Sequence, residues 1–121
     1  MLHEEKNIRQ TKGEPRRRWF SDDFFDLIIW LEPDESVWGF QLCYDIGFRP
    51  RALTWTKQTG YKHSGIDDGE HGGGAHKSSP VLVQDGLFDT SAIGARLAAA
   101  SGELPAGLLD CVLLKISEFK F

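Results

Sequence analysis

The 121-residue sequence has no long hydrophobic run. Its longest apolar stretch, Leu-Ile-Ile-Trp-Leu at residues 27–31, is far shorter than the roughly 20 residues of a membrane-spanning helix. The first 18 residues carry charges but no apolar segment, which argues against a secretory signal peptide. The chain is also too short for a doubly wound dinucleotide-binding fold or an α/β barrel. We therefore expect a small soluble, cytoplasmic domain without membrane contact.

Cysteine is scarce as well, since the chain contains only Cys43 and Cys111. They are 68 residues apart and form no C-x-x-C motif, so no cysteine-based metal site is indicated. In a reducing compartment both are expected to be free thiols that pack as small apolar groups. A disulfide between them is the less favoured alternative.

Acidic residues exceed basic ones by 18 to 14, but the charges are grouped in blocks. Residues 1–20 hold six basic and three acidic groups, and residues 21–45 hold seven acidic groups alone. Residues 46–62 hold four basic groups alone, and residues 63–90 hold one basic and five acidic groups. If these blocks form neighbouring strands, opposite charges pair across the sheet. Such pairing leaves no net basic face for nucleic acid.

Turn signals divide the N-terminal part of the chain into short strand-like segments. Strands are predicted over residues 24–31, 37–45 and 51–57, with a weaker one at 60–66, and a short arginine-rich segment at 15–20 precedes them. Their connections are too short for parallel pairing, so the pattern predicts an antiparallel β-meander of three to five strands. Residues 1–13 are polar and without periodicity, and we expect a disordered arm there.

Two helical segments follow towards the C-terminus. The first predicted helix begins after Asp89, a suitable N-cap, and ends near Ala100, with Gly102 just beyond it. The order of strands and then helices predicts a single α+β domain over residues 14–121, with two C-terminal helices packed on one face of the sheet. The second helix begins at Pro105 and carries a wide apolar stripe, formed by Leu108, Leu109, Val112, Leu113 and Ile116.

Alternation along the strands separates two faces of the predicted sheet. One face is wholly apolar and is assigned to the core, with Phe25, Leu27, Ile29 and Leu31 on one strand and Trp38, Phe40, Leu42 and Tyr44 on the next. The other, which we call the second face, mixes apolar and polar side chains, namely Phe24, Asp26, Ile28, Trp30, Gln41 and Cys43.

The mixed composition of the second face predicts a binding surface, because exposed apolar patches commonly mark partner sites. The leading hypothesis is a non-enzymatic interaction or ligand-binding module that uses this face and needs no cofactor. Its partner would be a second copy of the chain, an unknown protein or a small molecule. Two-fold dimers are the commonest assembly of small proteins, which favours the second copy.

Residues 58–79 hold six of the 13 glycines and three of the four histidines, and this composition predicts a long loop. Loops of this length are usually functional or disordered. An alternative hypothesis is therefore a metal-dependent or acid–base enzyme with its site in this loop. The spacing of the histidine and acidic residues in this loop matches no established metal-binding motif. The residues that would hold a divalent metal are His63, Asp67, Asp68, Glu70, His71 and His76.

A second alternative is weak binding of single-stranded nucleic acid. Residues 16–20, Arg-Arg-Arg-Trp-Phe, combine guanidinium groups with aromatic rings, as single-strand binders do. The overall acidity of the chain disfavours this hypothesis. A continuous basic surface would also have to include Arg49, Arg51, Trp55, Lys57 and Lys62.

Three segments resemble a family of short bacterial proteins without an assigned function. They are Trp-Phe-x-Asp-Asp-Phe-Phe-Asp-Leu at 19–27, Gly-Phe-Gln-Leu-Cys-Tyr-Asp at 39–45 and Ala-Leu-Thr-Trp at 52–55. The resemblance extends from Arg16 to the end of the chain. It implies a bacterial cytosolic setting and brings no activity, cofactor or catalytic residue.

Overall fold

The computed structural model describes residues 1–46, 50–65 and 90–119. Within these ranges one antiparallel sheet contains six strands in chain order. The predicted antiparallel meander with two C-terminal helices is confirmed, but the described strands number six rather than three to five. The elements are β1 (His3–Glu4), β2 (Arg16–Ser21), β3 (Phe25–Leu31), β4 (Val37–Tyr44), β5 (Arg51–Thr56), β6 (Gly60–Gly65), α1 (Thr90–Ala99) and α2 (Ala106–Glu118).

The main core lies between one face of the sheet and the two helices. Along β3 the buried residues alternate with half-buried ones, which confirms the predicted core face of this strand. In this core Phe20 of β2 and Leu27 and Ile29 of β3 are fully buried. Burying each such side chain stabilises the fold by about 1.5–3 kcal/mol. The helices complete the core with Ile93 and Leu97 from α1 and Val112 and Ile116 from α2.

The sixth strand is β1, which lies in the segment that we expected to be a disordered arm. Leu2 is buried in the core, its amide donates to the Ala100 carbonyl at 2.7 Å, and its carbonyl accepts from the Glu103 amide at 2.9 Å. Gly102 permits this contact, because a Cβ there would lie 2.2 Å from the Leu2 carbonyl oxygen. A single leucine among polar residues has no periodicity, so the sequence pattern did not indicate this strand.

A β-bulge changes the position predicted for Trp38. Trp30 pairs with Gly39 and Leu31 pairs with Val37, which leaves Trp38 as an extra residue in β4. An extra residue reverses the alternation on one side of the bulge. The Trp38 ring therefore meets Trp30 of the second face edge-on, with 6.3 Å between ring centroids, instead of joining the core.

Candidate binding face

The structure brings together five of the six residues predicted for the second face. Asp26, Ile28 and Trp30 project from β3 on the side opposite the core, and Gln41 and Cys43 do so from β4. The register places Asp26 opposite Cys43 and Ile28 opposite Gln41. All five side chains are half-buried. They form a continuous surface across the middle of the sheet.

Phe24, the sixth predicted residue, lies elsewhere. It precedes β3 and packs against the core, and its ring meets Phe25 edge-on at 4.7 Å between centroids. The guanidinium carbon of Arg96 in α1 lies 3.5 Å from the centroid of the Phe24 ring. Since α1 packs on the core side of the sheet, Phe24 belongs to that side and not to the second face.

Trp19 of β2 lies on the second face but was not among the residues predicted for that face. It lies opposite Ile28, and its indole Nε1–H donates a hydrogen bond to the Asp26 carboxylate. This bond fixes the ring and gives Asp26 a partner. The alternation rule used for β3 and β4 would have identified Trp19 if it had been applied to β2, where three arginines obscure the pattern.

Residues 8–10 extend the second face beyond the sheet. The Gln10 side chain bridges the backbone of Arg17, since it accepts from the Arg17 amide at 2.8 Å and donates to the Arg17 carbonyl at 2.9 Å. The Arg17 guanidinium in turn donates to the Arg9 carbonyl. A cleft of about 320 Å³ results, lined by Ile8, Arg9, Arg17, Trp19 and Ile28.

Cys43 lies on the same face but is poorly suited to nucleophilic chemistry. Burial raises the pKa of the Cys43 thiol, against the hydrogen bond that Gln41 Nε2 donates to its sulfur at 3.6 Å. A thiol with a raised pKa forms little thiolate at neutral pH, and thiolate is the reactive form. Cys43 and Cys111 are both free, as expected.

Of the residues proposed for a metal site, the structure describes His63, which lies on strand β6 opposite Leu53 and not in a loop as predicted. Asp67, Asp68, Glu70, His71 and His76 lie outside the described residues. The Nε2 atom of His63 is 2.6 Å from the Tyr44 hydroxyl, and the two rings stack with centroids 5.9 Å apart. Burial and the nearby Arg51 charge lower the pKa of His63 to about 4. Within residues 1–46, 50–65 and 90–119, no three metal-ligating side chains cluster.

The strand register divides the described basic residues considered for nucleic acid between the two faces of the sheet, with Arg16, Arg18 and Arg51 on the core face and Arg17 and Lys62 on the second face. Arg16 and Arg18 pair with Glu35 and Glu4, and Lys57 pairs with Glu32. Arg51 is buried and pairs with Asp45 at 2.9 Å. Three of these pairs join a basic block to an acidic one, as the charge pattern predicted, whereas Arg18 and Glu4 both belong to the block of residues 1–20. Arg49 lies outside the described residues.

No helix in the described ranges is long and apolar enough to cross a membrane. No protein-family model matches the chain, and neither the curated proteins nor the solved structures contain a significant match. These findings are consistent with a protein family without an assigned function.

Proposed function

We propose that this chain is a ligand-binding module that holds a small apolar or aromatic molecule on its second face. The observation that carries the proposal is the cleft of about 320 Å³ between residues 8–10 and the β2–β3 ribbon. Its volume falls at the lower end of the range of small-molecule sites. Ile8, Trp19 and Ile28 supply apolar surface that a ligand would remove from water.

The placement of the helices supports this proposal. Both α1 and α2 direct their buried residues into the main core, on the opposite side of the sheet. Among the described residues, no helix covers the β2–β3 part of the second face. Trp19 is held by its bond to Asp26 and Arg17 by its bonds to Arg9 and Gln10. A ligand would therefore meet a largely preformed site, which lowers the entropic cost of binding.

The test uses two-dimensional NMR of the protein labelled with ¹⁵N, in which each of the four tryptophans contributes one indole N–H signal. We expect small naphthyl compounds to shift the Trp19 indole signal and to leave that of Trp55, on the core face, unchanged. Ile28→Lys should weaken binding about tenfold or more, because it places a charge in an apolar cleft. The matched control is Leu114→Lys, since Leu114 is 55% exposed on α2 and distant from the second face.

The proposal fails if no compound of the series shifts Trp19, or if Leu114→Lys weakens binding as much as Ile28→Lys. If the Trp19 indole signal shifts with protein concentration and not with ligand concentration, the cleft is occupied by a second copy of the chain.

Self-association is the second candidate, and the Trp30–Trp38 ring pair favours it. The two half-buried rings lie beside the cleft on the same face, outside the main core. Light scattering measures the oligomeric state directly. We expect a dimer to dissociate in Trp30→Lys and to persist in Leu114→Lys. A monomer at all concentrations, unaffected by Trp30→Lys, rejects this candidate.

A further inference from the structure

Strand β2 contains three consecutive arginines that the alternation divides between the two faces. Arg16 and Arg18 point to one side, where Arg16 pairs with Glu35 at 3.0 Å. Arg18 binds Glu4 through two nitrogens, at 2.8 and 2.7 Å. Arg17 points to the second face, and no carboxylate among the described residues pairs with it. The middle arginine is thus the one whose charge is left uncompensated.

The hydrogen bonds of Arg17 are also incomplete. One terminal nitrogen donates to the Arg9 carbonyl, but its Nε atom is buried and has no acceptor in the described structure. A guanidinium group presents five N–H donors, and a buried donor without an acceptor is costly. Arg17 therefore places an incompletely bonded guanidinium group and its positive charge at the wall of the cleft.

The acidic residues nearest to β2 on this side lie at its other end. Asp26 is opposite Ser21, and Glu5 accepts a hydrogen bond from the Ser21 hydroxyl at 2.5 Å. Ser21 is four residues from Arg17, about 13 Å along a strand. Charges at this distance are largely screened, since the Debye length is about 8 Å at physiological ionic strength. The Asp26 carboxylate, bonded to Trp19, lies at the Ser21 end of the cleft, whereas Arg17 and Arg9 set the potential at its other end.

We infer that the ligand of this cleft is a small organic acid, with its apolar body against Trp19 and Ile28 and its carboxylate at the Arg17 guanidinium. This inference rests on the proposed function and specifies its ligand class. Guanidinium groups bind carboxylates by charge-assisted hydrogen bonds, and the carboxylate would compensate the charge of Arg17. A neutral ligand would leave the charge uncompensated, and a cation would be repelled.

The experiment compares 2-naphthoate with 2-naphthamide, which has nearly the same shape but no charge. Isothermal titration calorimetry gives the affinities, and the Trp19 indole signal gives the location. We expect the wild-type protein to bind naphthoate about fivefold or more tightly than the amide. Arg17→Gln should remove this preference, whereas Arg16→Gln, on the opposite side of the same strand, should retain it. Rising salt should weaken binding of naphthoate and leave that of the amide unchanged.

The outcomes separate the inference from the proposed function. If both compounds shift Trp19 with equal affinity, the cleft binds ligands but the preference for acids is wrong. If Arg17→Gln and Arg16→Gln lower the affinity for naphthoate equally, the preference arises from the general field of the protein and the role of Arg17 is refuted. If neither compound binds, both the inference and the proposed function fail.

Discussion

The two faces of the β2–β3–β4 ribbon are built by the same strands but are covered differently. On the core face Phe20, Ile29 and Phe40 are wholly inaccessible to solvent beneath the helices. On the second face Ile28 and Trp30 are only half-buried, and residues 8–10 cover one edge. The apolar side chains of the core face are thus buried by other parts of the chain. Those of the second face keep solvent-exposed apolar area, which a ligand or partner would cover.

The sharpest test of this comparison uses the adjacent residues Ile28 and Ile29, which point to opposite faces. Ile29→Ala should lower the free energy of unfolding by about 2–5 kcal/mol, because it leaves a cavity in a closed core. Ile28→Ala should cost about 1 kcal/mol, since its side chain is half-buried and solvent can fill the space. Urea unfolding of both variants provides the measurement. Equal losses would mean that both faces are closed cores.

The N-terminal segment joins the two faces, since Leu2 enters the core and Ile8 lines the cleft. Gly102→Ala should destabilise the protein by about 1–3 kcal/mol, because φ is +51° there and the Leu2 carbonyl is too close for a Cβ. The matched control is Gly107→Ala in α2, where a Cβ meets nothing within 4 Å. This control should stabilise the helix by about 0.5–1 kcal/mol. Thermal unfolding distinguishes the two, and a neutral Gly102→Ala would contradict the seating of Leu2.

Much of the core face was predictable from the sequence, while the second face was predictable only in part. The buried residues of β3 could be identified from the strict alternation of apolar side chains, because successive side chains of a strand point to opposite faces of the sheet. The same rule misplaces Trp38, because a bulge is a local irregularity that the pattern of β4 does not reveal. Leu2 and Ile8 are isolated apolar residues in a polar segment, and their roles depend on contacts distant in the chain. The cleft could not be predicted for this reason.

The free energy of unfolding should depend on pH through His63, which lies at the edge of the core. Burial and the Arg51 charge lower the pKa of His63 from 6.5 to about 4. Between these values the unfolded chain binds the proton and the folded protein does not, so stability falls as the pH decreases from 6.5 to 4. After allowance for partial solvent screening we expect a loss of about 1–2 kcal/mol.

The variant His63→Gln tests this pH dependence. We expect it to be less stable than the wild type at pH 7, because it alters the contact with Tyr44. Its stability should decline less steeply between pH 6.5 and 4 than that of the wild type. Glu4 and Glu5 also have lowered pKa values and contribute to acid sensitivity in both proteins, so the difference between the two curves isolates His63. Parallel curves would contradict the lowered pKa.

The smallest expected effect separates Arg18 from Arg17. Arg18→Gln should lower the free energy of unfolding by about 1 kcal/mol, because it breaks a two-nitrogen ion pair with Glu4 in which both side chains are about a quarter exposed. Arg17→Gln should cost less than about 0.5 kcal/mol, since it removes an uncompensated charge and leaves no carboxylate without a partner. Guanidinium chloride is itself a salt, so urea is the appropriate denaturant. A loss at Arg17 as large as that at Arg18 would show that Arg17 stabilises the fold, and its uncompensated charge would then not be available for a ligand.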